Sequence, residues 1–160
     1  MRTITAKYLA LAIILLSVLV FPPIAHSHCQ IPCGIYNDPL RFDLIAEHIT
    51  TIEKAMTMIT SLSQAEKPNY NQLARWVRNK EEHADEISSI VTYYFMAQRI
   101  KPTDKRNDKA YNQYVNQLVL LHEMLVYSMK SKQTTDLANV EKLRSLLIEF
   151  RNAYSGEHKH

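Results

Sequence analysis

Residues 38–62 read DPLRFDLIAEHITTIEKAMTMITSL. Leu40, Leu44, Ile45, Ile49, Ile52, Met56, Ile59 and Leu62 recur at spacings of three and four, which lays one apolar stripe along a long amphipathic helix. Asp38-Pro39 marks the start of that helix. An acidic N-cap is followed by proline at the first helical position, where its missing N–H costs nothing. Gln64 to Pro68 breaks the pattern.

The same period recurs downstream. Asn69 is placed to cap a second helix, whose stripe is Leu73, Trp76, Val77, Ala84, Ile87, Ile90, Val91, Tyr94 and Phe95. Lys101-Pro102 ends it, and Thr103 to Lys109 reads as a polar surface connection. A third stripe runs through Tyr111, Tyr114, Val115, Leu118, Leu121, Leu125 and Met129. After a loop from Ser131 to Thr135, a fourth carries Leu137, Val140, Leu143, Leu147, Phe150 and Tyr154. Four amphipathic helices with short connections predict an all-α, up-down-up-down four-helix bundle over residues 37–160. Two glycines in 160 residues and no β-type alternation agree with that class. Met56, Met129, Tyr94, Tyr111, Tyr114 and Tyr154 sit on these stripes, where filling the core is their ordinary role.

Upstream, residues 1–27 have the three parts of a signal peptide. Arg2 and Lys7 form a basic n-region, and Tyr8 to Phe21 is an almost unbroken apolar run that Pro22 and Pro23 stop. Ala25-His26-Ser27 places small residues at −3 and −1 of a cut before His28. The run falls short of the ~20 residues a spanning helix needs, so cleavage and export to the periplasm or the extracellular space are expected, with no stable membrane association afterwards. Removing Arg2 and Lys7 lowers the formal charge from +3 to about +1. No Lys/Arg run or aromatic-interleaved basic patch appears, which excludes nucleic acid as an evident partner.

Cleavage after Ser27 would make His28 the N-terminus of the segment HCQIPCGIY, residues 28–36. An α-amine, an imidazole and two thiols then lie within six residues. Amine, Cys29 amide nitrogen and Cys29 sulfur form fused small chelate rings that favour a planar metal. Mixed N and S donors in a plane suit Ni(II) or Cu(II), whereas zinc prefers tetrahedral closure. Pro32 and Gly34 suit the reversal that returns Cys33 to the same metal. The spacing alone has a plainer reading: two cysteines in an exported chain ordinarily form a disulfide. A bare disulfide, however, gives no reason for His28 to coincide with the cut.

This segment resembles the nickel hook of the nickel superoxide dismutases, His-Cys-x-x-Pro-Cys-Gly-x-Tyr, and matches it at His28, Cys29, Pro32, Cys33, Gly34 and Tyr36. The resemblance implies one nickel ion per subunit. His28 would supply its amine and, in the oxidised state, an axial imidazole. Cys29 would supply amide nitrogen and thiolate, and Cys33 the second thiolate. Tyr36 would gate the open axial face to superoxide, the substrate. It further implies a four-helix bundle assembled as a homohexamer, and activity by Ni(II)/Ni(III) cycling. A carboxylate supporting the ligand imidazole is expected on the first helix, with Glu47 the candidate. A tyrosine and a lysine are expected near the end of the second, with Tyr93, Tyr94 and Lys101 in that region.

Two non-enzymatic readings stand beside this one: an exported nickel or copper carrier using the same hook, and a disulfide-stapled helical interaction module. A carboxylate-bridged di-iron bundle fails, because the one Glu-x-x-His spacing, Glu157 to His160, lies in the tail. His48, His83 and His122 fall within helices, where surface or interface roles are commoner than metal ligation.

Overall fold

A computed structural model describes residues 38–155. They form four helices, α1 (Asp38–Ser63), α2 (Tyr70–Ser89), α3 (Asp108–Gln133) and α4 (Ala138–Ser155), with no strand among the described residues. Ile90–Arg99 continues α2 in π-helical form. α1 packs on α2, α2 on α3, α3 on α4, and α4 back on α1, which is the closed four-helix bundle that the periodicity predicts. No helix among the described residues is long and apolar enough to cross a membrane.

Local chemistry sets the helix ends. The Asn69 side chain accepts from the backbone N–H of Gln72 at 3.1 Å, the expected cap. Asn107 does the same for Ala110 at 3.2 Å, so α3 begins at Asp108, inside the stretch expected to be a connection. At its far end α3 runs on to Gln133, and Ser131, expected in a loop, is buried in the last turn. Lys80 explains why the helix extends. Its buried ammonium donates to the carbonyl of Lys132, and to that of Thr134 at 3.1 Å, supplying the donors that a helix C-terminus lacks.

The core is one cluster. On α1 its face is Phe42, Ile45, Ile49, Ile52 and Met56, rotated from the expected stripe. Leu40 is 50% exposed because Phe42, not Leu40, turns inward to meet Phe95, Phe150 and Tyr154. Val77, Val115, Met129 and Leu137 also lie at the surface, while Leu120, Met124 and Leu146 complete the interior.

Candidate metal centre

His28, Cys29, Cys33 and Tyr36 lie outside the described residues, as do the leader, the Ser27 cut and the Glu157–His160 tail. The described chain opens at Asp38, two residues past Tyr36, and there four polar side chains converge. The Asp38 carboxylate accepts at Oδ1 from the Tyr94 hydroxyl. At Oδ2 it accepts from the Tyr154 hydroxyl at 2.7 Å and from an Arg99 guanidinium nitrogen at 2.5 Å. Arg99 Nε also donates to the Tyr154 oxygen at 3.1 Å.

Three elements therefore meet on one carboxylate, and the π-helix is what brings Tyr94 and Arg99 to it. A regular helix turns about 100° per residue, which spreads neighbours around its circumference. In the wider π register both Tyr94 and Phe95 are buried, and the Ile100 N–H closes on the Phe95 carbonyl at 2.9 Å. Phe95 packs edge-on against Phe150 at 4.9 Å and Tyr154 at 5.7 Å between ring centroids, fixing the wall from which both phenols reach Asp38. The Arg41 guanidinium lies 5.2 Å from the Tyr94 ring centroid.

Electrostatics follow the geometry. Burial alone would raise the Asp38 carboxyl, but the hydrogen bonds from Tyr94, Arg99 and Tyr154 outweigh it and hold the group below the usual carboxylate range. Burial, then the bond to that carboxylate, pushes Tyr94 up to about 12 and raises Tyr154 as well. Arg99 is raised chiefly by its hydrogen bond to Asp38. The cluster is thus an ionised Asp–Arg pair with two neutral phenols at physiological pH.

The remaining expected residues divide. Tyr94 belongs to this cluster, whereas Tyr93 is 54% exposed and Lys101 and Glu47 are at the surface. His48 and His83 meet across α1 and α2 with their Nδ1 atoms 2.8 Å apart. Their ring centroids are 5.0 Å apart, so the nitrogens face each other head-on, as a single shared proton requires. His122 is exposed. Nothing in the sequence pattern pairs His48 with His83, since the two sit on different helices and each reads as a surface histidine.

Among the described residues, no group of three or more His, Cys, Asp or Glu could hold a metal ion. The side-chain donors suited to a redox-active metal lie in residues 28–36: the His28 imidazole and the chain's two cysteines. The profile of a family described as nickel-containing superoxide dismutase matches residues 23–159, spanning both hook and bundle. Comparison with curated proteins and with solved structures gives no match.

Proposed function

This chain belongs to the nickel-containing superoxide dismutase family, and from that premise we propose which of its residues hold and gate the metal. It is a nickel-dependent enzyme that converts superoxide to dioxygen and hydrogen peroxide. Cleavage after Ser27 frees the His28 amine. That amine, the His28 imidazole in the oxidised state, the Cys29 amide nitrogen and the thiolates of Cys29 and Cys33 form the ligand set, for one nickel per subunit. The reading is carried by a family match that begins before His28 and runs through the whole bundle, with all six fixed hook positions occupied.

Nickel held by these donors would supply the one-electron exchange that converting two superoxides to dioxygen and peroxide requires. The chain's own groups make that exchange accessible. Two thiolates and an anionic amide donate strongly enough to stabilise Ni(III), which aqueous nickel reaches only with difficulty. Tyr36 gates small anions and orders water, and that water, or a cysteine sulfur that has first taken up a proton from it, would pass on the two protons that peroxide requires. The mature protein is exported and acts as a homohexamer, in which neighbouring subunits cover hooks too short to bury themselves.

Three variants of the nickel-loaded protein test this ligand set: Cys29→Ser, Cys33→Ser and His28→Ala. Nickel content, superoxide turnover and helicity are measured together. Each serine variant is expected to lose turnover while the bundle stays folded. His28→Ala keeps the amine, amide and both thiolates, so it should retain nickel with reduced activity. Full activity in either serine variant would overturn the assignment. A disulfide staple would instead give two serine variants alike in stability loss, about 2 kcal/mol for so short a loop, with nickel content unchanged.

A further inference from the structure

We propose that the outward face of α3 is a self-association surface, on which a second copy of this chain packs antiparallel about a two-fold axis at His122. Such a contact is one element of the homohexamer proposed above and rests on that assembly, without needing the nickel ligand set.

In α3 sequence and exposure disagree. Its inward face is filled by Gln117, Leu121, Met124 and Ser128, all buried. A helix with one buried side ordinarily turns polar residues outward. Here the opposite side carries Val115, Val119, His122, Val126 and Met129. Val119 is 48% exposed and Met129 51%, with His122 exposed between them. A helix that is apolar on every side is ordinarily buried on every side. Charge gives the same signal. From Ala110 to Met129 the one formal charge is Glu123, and Lys142 of α4 pairs with it at 3.4 Å. By contrast, α2 turns Arg75, Arg78, Glu82, Asp85 and Glu86 to solvent. Loss of charge from an otherwise exposed face is the compositional mark of an interface centre.

The spacing selects the partner. Steps of four, three, four and three keep the stripe on one side of the helix for about 21 Å, a seam that fits another helix. It is also nearly symmetric about its middle. Val115 and Met129 lie seven residues to either side of His122, and Val119 and Val126 lie three and four. Turned end for end on a copy of itself, the stripe therefore matches. His122 meets His122 of the second copy, Val119 meets Val126 of the second copy, and Val115 meets Met129 of the second copy. A two-fold contact requires that self-complementarity. Charge favours the antiparallel arrangement over the parallel one. α3 has Asp108 in its first turn and Lys130 in its last. Antiparallel packing sets the acidic end of each helix beside the basic end of the other, whereas parallel packing stacks like charge on like.

The test uses the full mature protein beginning at His28, with and without nickel, as wild type, Val119→Glu, His122→Cys and Val115→Cys. Sedimentation and helicity are measured on the first two. Val119 stands in water in the single subunit, so Val119→Glu should keep wild-type helicity while sedimenting as a smaller species. Should it fold poorly, Val115→Lys places a charge one turn away on the same seam and is read in the same way. The two cysteine variants are treated with a short bis-maleimide, with wild type as the reference for Cys29 and Cys33. His122→Cys should yield a covalent dimer, because each copy places residue 122 on the axis. Val115→Cys should yield no more than wild type, since its counterpart lies about 21 Å away along the seam. Val119→Glu sedimenting at wild-type size would overturn this surface and leave a hexamer built through another face. Val115→Cys cross-linking as readily as His122→Cys would overturn the antiparallel register. A monomeric wild type, as expected if another protein or another part of the chain covers α3, would overturn the surface and the hexamer together. Association that persists in protein unable to bind nickel would overturn the ligand set and leave the surface standing.

Discussion

Acidification should loosen the α1–α2 interface through the His48–His83 contact. Burial and the neighbouring His83 depress the His48 pKa, outweighing the opposing pull of Glu86 and Glu47. Folding therefore favours the neutral ring. The stability this contributes is fully present above the unfolded value of about 6.5 and is lost as pH falls through the lower folded value. One shared proton fits the 2.8 Å gap between the Nδ1 atoms. A second places N–H against N–H. The stake is one hydrogen bond, about 0.5–1.5 kcal/mol, and the slope cannot exceed about 1.4 kcal/mol per pH unit for one proton. At about 4 °C per kcal/mol for a domain of this size, that is about 2–6 °C in Tm. Thermal unfolding of wild type and of His48→Gln/His83→Gln would be compared between pH 7.5 and 5.0. The wild type should lose more Tm across that interval than the double variant. Parallel curves would mean that the His48–His83 contact carries no such proton linkage.

Phe95→Ala removes a fully buried ring that contacts Phe42, Phe150, Tyr94 and Tyr154, and should cost about 3–5 kcal/mol in urea unfolding. Lys80→Met leaves the Lys132 and Thr134 carbonyls without their charged donor. A loss of about 1.5–3 kcal/mol is expected, with hydrogen exchange rising first in the final turn of α3. Sedimentation of the nickel-loaded protein should show a hexamer, with exposed Tyr70, Tyr93, Val119 and Ile148 available for its contacts; a fully active monomer would contradict the assembly.

Helix number, order and most boundaries were legible in the sequence because they depend on local signals. The three-four spacing reports which face is apolar, and Asn69 caps where its chemistry says it should. The first turn of α1 was misread because spacing cannot distinguish Leu40 from Phe42 as the residue that turns inward. Aromatic partners on the π-helix and α4 decide that. Asp38 looked like a cap for the same reason. Its side chain is claimed by Tyr94, Arg99 and Tyr154, all distant in sequence, and no local rule anticipates tertiary competition for one carboxylate. The extension of α3 past Ser131 depends on Lys80 from another helix. The hook was the opposite case. Its residues are adjacent along the chain, so the donor set we propose is drawn from the sequence alone, and the family match spans it.

The nickel ligand set turns on a free amine at His28. Its most direct test compares superoxide turnover by nickel-loaded protein beginning at His28 with that of protein retaining Ser27, each N-terminus fixed by mass spectrometry. The His28 form should be active. The Ser27 form, whose His28 nitrogen is locked in a peptide bond, should be inactive while keeping the same helicity. Equal turnover by the two would contradict the ligand set.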